Sequence, residues 1–105
     1  QARDDFFRAV GALASDYERS RVLIALLRSE ELDDEWALAA VRAASVSKSD
    51  YEKARVLVAA AREHGGKPKV IDAVLETSKG ITSDYERRRV TTAAGQGAKS
   101  ATREL

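Results

Sequence analysis

The sequence predicts an all-α protein, a short right-handed αα-hairpin solenoid of about six helices with a 34-residue repeat. Three observations predict it. An eight-residue segment returns twice at the same interval, and apolar residues between the copies follow the helical period. No stretch alternates with the two-residue period of a strand over more than a few positions.

The recurring segment is Ser15-Asp16-Tyr17-Glu18-Arg19-Ser20-Arg21-Val22. It returns as Ser49-Asp50-Tyr51-Glu52-Lys53-Ala54-Arg55-Val56, and again as Ser83-Asp84-Tyr85-Glu86-Arg87-Arg88-Arg89-Val90. Both spacings are 34 residues, and six of the eight positions are identical in all three copies, so tandem repetition is established without any structure. Serine followed three residues later by glutamate is a capping box. The hydroxyl accepts a backbone N–H of the first turn, and the glutamate is expected to reach back to the serine N–H. Asp16 and Glu18, with their counterparts, add negative charge where the helix dipole favours it.

Each element then follows in order along the chain. Phe6, Phe7 and Val10 are the remnant of a first helix, of the kind called B here. The first A helix begins at Asp16, with Tyr17, Ser20, Leu23, Ile24 and Leu27 on one face. A second B helix follows, with acidic Asp33, Asp34 and Glu35 at its start and Trp36, Ala37, Ala40, Val41 and Ala44 on one side. The second A helix repeats the first through Tyr51, Ala54, Leu57, Val58 and Ala61. Gly65-Gly66 is expected to end it as a left-handed C-cap, and Pro68 suits the first turn of the third B helix. That helix carries Val70, Ile71, Val74, Leu75 and Ser78, and Gly80 closes it. The third A helix keeps Tyr85, Arg89 and Val90 but replaces the apolar positions with Arg88, Thr91, Thr92 and Gly95, the pattern of a polar terminal repeat. One domain is expected over residues 1–95, the helix giving out near Gly95 and residues 96–105 forming a frayed tail. The chain opens in mid-pattern without a methionine, which suits a piece of a longer array, the favoured reading, or a processed product.

Composition narrows the function. Apolar residues make up 44% and charged residues 33% of the 105, which disfavours both a disordered and a membrane class. No purely apolar run exceeds that of Val22 to Leu27, so no membrane contact is expected within this segment. The absence of cysteine removes disulfides, zinc–thiolate sites and cysteine nucleophiles, and is compatible with cytoplasm and periplasm alike. His64 is the only histidine, and its place before Gly65-Gly66 suits a charge complement to a helix C-terminus. The acids cluster at helix starts, where capping explains them. The expectation is therefore a protein that is not an enzyme, with no catalytic residues, no metal and no cofactor.

The motif residues themselves are the candidate features. Stacked repeats would align Tyr17, Tyr51 and Tyr85, and likewise Arg21, Arg55 and Arg89, into ladders about 10 Å apart. An arginine ladder can grip an acidic peptide or phosphates. The same residues also suit internal scaffolding, which is the favoured reading. Tyrosine and arginine four apart stack within one helix turn, and Glu18, Glu52 and Glu86 lie three before each arginine. Trp36 occupies the position of Val70 and is read as core. Lys67, Arg87 and Arg88 are the candidate anion surface of a C-terminal half that is net +5, against −4 for residues 1–52. That polarity also suits head-to-tail self-association. The overall net charge of +1 gives no global case for nucleic acid, and no aromatic platform interleaves the basic residues.

The period is similar to that of tetratricopeptide repeats, whose Trp, Leu-Gly and Tyr pattern is absent, so the likeness is to HEAT-like and TPR-like αα solenoids in general. More closely, Ser15 to Val22, Ser49 to Val56 and Ser83 to Val90 resemble the tandem Ser-Asp-Tyr-Glu repeats of some bacterial proteins, over nearly the whole chain. Such repeats accompany membrane-bound metallopeptidase domains similar to the antirepressor sensors. The resemblance implies a helical accessory or sensing region of a larger bacterial protein. It carries over no peptidase residue, since there is no His-Glu-x-x-His.

The expected function is a non-enzymatic helical-repeat scaffold or interaction module whose partner is a protein or peptide. One alternative is a weak anion or nucleic-acid binder working through the basic C-terminal half. Another is a synthetic or consensus-derived repeat without ligand, against which the irregular B helices argue.

Overall fold

Every copy of the motif opens a helix with its serine as N-cap. The Ser15, Ser49 and Ser83 hydroxyls accept from the backbone N–H of Glu18, Glu52 and Glu86 at 3.0, 3.1 and 3.2 Å. The computed structural model describes residues 1–103, with side chains as far as Lys99. It contains α1 (Ala2–Gly11), α2 (Asp16–Leu27), α3 (Asp34–Ala43) continued by a single 3₁₀ turn (Ala44–Val46), α4 (Asp50–His64), α5 (Pro68–Ser78) and α6 (Asp84–Arg103). Among the described residues there is no strand. Pro68 stands in the first turn of α5 as expected, and Asp33, expected at the start of α3 for its charge, also caps that helix through the Glu35 N–H at 2.8 Å.

The other half of each capping box is not made. The Ser49 N–H, together with that of Lys48, donates to Asp16 Oδ2 at 3.1 and 3.0 Å, and the Ser83 N–H donates to Asp50 Oδ2 at 2.8 Å. The motif aspartate thus holds the start of the next motif's helix. Glu52 and Glu86, relieved of the serine amide, turn instead to Arg55 and Arg89.

Helices α2, α4 and α6 pack side by side in that order, and α1, α3 and α5 form a second row against them. The shortest dimension of 18 Å is that of two helix layers. Because both the N-terminal caps and the C-terminal ends of α2, α4 and α6 meet their neighbours, the three run parallel. The core lies between the layers and is densest around α4, where Ala54, Val56, Leu57, Ala60 and Ala61 are buried with Leu23, Leu27, Val41, Val70, Val74, Ile81 and Val90. Trp36 is half-buried rather than enclosed like Val70. Its ring closes the N-terminal end of the second row, 5.5 Å from Phe6 and 5.7 Å from Phe7.

Two glycine expectations are corrected. Gly65 does not enter the left-handed region. Its φ is −64°, and no described glycine has positive φ. Glycine is needed there for space: a Cβ on Gly65 would stand 2.6 Å from Gly97 Cα and 2.5 Å from the Ala61 carbonyl oxygen. Nor does the third A helix stop near Gly95. It continues to Arg103, because Gly97 lets its backbone settle on Ala61 of α4 and on Gly65 just past the end of that helix. Glu104 and Leu105, the last of the expected tail, lie outside the described residues.

His64 also serves a different helix end from the one expected. Its buried ring reaches across to the last turn of α2, with Nε2 2.9 Å from the Leu27 carbonyl oxygen. A ring nitrogen donating there satisfies a carbonyl that α2 itself leaves open.

Candidate interaction surface

The outer face of the α2–α4–α6 layer is built from four positions of each helix. From each motif tyrosine the pattern runs i, i+4, i+7 and i+11, the spacing of one helix side. On α2 these are Tyr17, Arg21, Ile24 and Arg28; on α4, Tyr51, Arg55, Val58 and Arg62; on α6, Tyr85, Arg89, Thr92 and Gln96. Ile24 and Val58 are buried and form the floor, whereas the tyrosines stand 53, 55 and 68% exposed. The helical period alone groups the tyrosines with the apolar face. Their rings lie at its solvent edge.

Arginine and tyrosine interleave across the helices. The guanidinium carbons of Arg21 and Arg55 each lie 5.8 Å from the Tyr17 ring centre, one from the same helix and one from the next. Arg89 lies 5.8 Å from the Tyr51 ring in the same way. Behind each stack a glutamate fixes the arginine: Glu52 to Arg55 at 2.9 Å and Glu86 to Arg89 at 2.8 Å. Glu52 is buried and also accepts from the Ser20 hydroxyl of α2. At the equivalent place on α4 stands Ala54, so Glu86 has no such donor. Charge-assisted hydrogen bonds and cation–π contacts together set how each helix lies on its neighbour.

Two adjoining concavities open on this face. One, of about 370 Å³ between α4 and α6, is lined by Val58, Arg62, Tyr85, Arg88, Arg89, Thr92, Ala93 and Gln96. The other, of about 190 Å³ between α2 and α4, shares Val58, Arg62 and Arg89 with it and adds Arg28, Tyr51, Arg55 and Glu63. The shared residues make them one groove. Arg28, Arg62 and Arg88 are exposed and have no carboxylate partner among the described residues.

The structure brings together the motif tyrosines and arginines but separates the three residues of the expected anion surface. Arg88 lines the groove. Arg87 lies beside it, with its guanidinium on Asp84 and on the Ile81 carbonyl at 3.0 Å, bracing the loop before α6. Lys67 stands past the far end of α4, paired with Asp34 at 2.7 Å and 3.5 Å from His64 Nδ1. That ammonium, first by its hydrogen bond and then by its charge, holds the Asp34 carboxyl below the usual aspartate value against some desolvation. The motif serines are occupied in capping, Asp16 and Asp50 in the contacts between helices, and Asp84 with Arg87 of its own helix. Arg28 and Arg62 were not singled out as site residues. The available signal was their own 34-residue spacing, outside the conspicuous octet.

Among the described residues no group of three His, Cys, Asp or Glu side chains could hold a metal ion, and no helix is long and apolar enough to cross a membrane. No family model, curated protein or solved structure matches the chain.

Proposed function

We propose that the chain is a short right-handed αα solenoid acting as a non-enzymatic interaction module, and that it holds a protein or peptide segment across the outer face of α2, α4 and α6. The observation that carries this reading is the recurrence of one tyrosine–arginine pair on three successive parallel helices, each arginine of α4 and α6 stacking on the tyrosine of the helix before. Repeated side chains on a shared face give a segment equivalent contacts at regular intervals, which is how stacked helical repeats bind. The tyrosines are exposed and the floor is apolar, so the face offers contact area as well as charge.

The test is a selection from a random peptide library against the intact chain, followed by binding of the enriched peptides to two variants. Val58→Asp with Tyr51→Ser, on the groove, should abolish binding. Leu75→Ser with Arg42→Glu, on the other layer, should leave it intact, with helicity checked in both. Failure to enrich any peptide, or equal loss from both variants, contradicts the reading.

A further inference from the structure

We infer that the occupant of this groove is an acidic polyproline-II segment with carboxylates three residues apart. The inference rests on the interaction-module reading and adds the chemistry and conformation of the ligand. Its first support is charge complementarity. The two concavities are lined by five arginines, Arg28, Arg55, Arg62, Arg88 and Arg89, against one carboxylate, Glu63. Arg55 and Arg89 are partly neutralised from behind, but Arg28, Arg62 and Arg88 have no carboxylate partner among the described residues. Guanidinium groups bind carboxylates as planar, paired donors, so an anionic side chain fits each.

The second support is spacing. Parallel helices in contact place equivalent residues about 8–10 Å apart. A polyproline-II chain makes one turn in three residues and rises about 3.1 Å per residue, so side chains three apart recur about every 9 Å. A β-strand presents one face every second residue, about 7 Å, which is short of that spacing. A chain crossing the layer with acids three apart would set one near Arg28 and the next near Arg62, which are equivalent positions of α2 and α4; the equivalent position on α6 is Gln96, and Arg88 adds its charge to the groove from eight residues nearer the start of that helix. The third support is the tyrosines. Exposed aromatic rings flanking a shallow groove are the surface on which proline rings pack, and Tyr51 and Tyr85 stand at its edge.

The test is fluorescence anisotropy of labelled nine-residue peptides with the intact chain. One peptide repeats Glu-Pro-Pro three times. A second has the same composition with the three glutamates adjacent, a third replaces glutamate by glutamine, and an oligothymidylate serves as a polyanion. The spaced acidic peptide should bind at least ten-fold tighter than the other three. Arg62→Glu should weaken it at least ten-fold, and Arg42→Glu on the opposite layer should leave it unchanged. Equal binding of the blocked isomer or of the oligothymidylate would overturn the inference in favour of a general polyanion surface. Equal binding of the glutamine peptide would overturn the acidic requirement while leaving the interaction module standing. No binding of the spaced acidic peptide would overturn the inference outright, the library selection remaining the separate test of the module.

Discussion

The junction between α2 and α4 and the junction between α4 and α6 start from the same eight-residue signal and are closed by different chemistry. At the first, a buried polar contact crosses the interface: Ser20 donates to Glu52, and His64 spans to the Leu27 carbonyl oxygen. At the second, the place of Ser20 is taken by Ala54 and the place of Leu27 by Ala61. There the backbones themselves meet, Gly97 lying against Ala61 and Gly65. What both share is the aspartate that receives the next serine's N–H. A repeat can therefore keep its register contact and exchange side-chain reach for backbone proximity.

The largest effect expected from this contrast is at the glycine contact. Gly65→Ala sets a Cβ against backbone atoms that cannot rotate away, and should destabilise the chain by about 1–3 kcal/mol, as overpacking does. Gly95→Ala, whose Cβ meets nothing within 4 Å, should instead stabilise by about 1 kcal/mol through helix propensity. Urea unfolding of the two variants sharpens the comparison, and a similar effect from both would break it.

Next comes the polar contact of the first junction. Ser20→Ala removes a donor from the buried Glu52 and should cost about 1–3 kcal/mol. The matching change at the second junction, Ala54→Ser, supplies Glu86 with the donor it lacks. It should cost far less than Ser20→Ala, or stabilise. The unfolding free energies of the two single variants check this directly.

A smaller effect concerns acid. The hydrogen bond from Arg19 holds the Asp16 carboxyl below its ordinary value of 3.8, helped by the Lys48 and Ser49 N–H groups and opposed by desolvation. A carboxyl lowered on folding contributes stability above its unfolded value and loses it as pH falls through the folded value. The stability advantage of the parent chain over Asp16→Asn should therefore be full near neutrality and shrink below about pH 4. Unfolding of both chains across that range measures it. A difference constant with pH would contradict the assignment.

The smallest effect is at the turn after α2. Glu31 occupies the position equivalent to Gly65, and there the left-handed region is entered, with φ of 58°. Glu31→Gly should stabilise by about 0.5–1 kcal/mol, the relief of a non-glycine left-handed conformation less the added chain entropy. Thermal unfolding reads this out.

These positions also show what the sequence made legible. The helix starts were readable because Ser15, Ser49 and Ser83 each carry a local signal whose physics needs no neighbour. Register between helices was not, since the aspartate's partner lies 33 residues away and nothing local marks it. Gly65 misled because glycine answers two needs, positive φ and close approach, and only a second backbone, here at Gly97, tells them apart. Local preference placed a left-handed turn at Gly65, whereas the chain makes one at Glu31. The tyrosine–arginine ladder was visible only as a pairing within each helix, and among the described residues that stack forms within a helix at Tyr17–Arg21 alone. Its crossing from one helix to the next, and the groove beside Arg28 and Arg62, depend on how closely parallel helices pack.

The aspartate register contact is the most direct point at which to test the whole arrangement. Amide hydrogen exchange by NMR at Ser49 and Ser83 would read both junctions in one sample. The account predicts slow exchange at both amides in the parent chain, and in Asp16→Ala fast exchange at Ser49 and Lys48 with Ser83 still protected. Rapid exchange of Ser49 and Ser83 in the parent chain, or protection of Ser49 that survives loss of the Asp16 carboxylate, would contradict it.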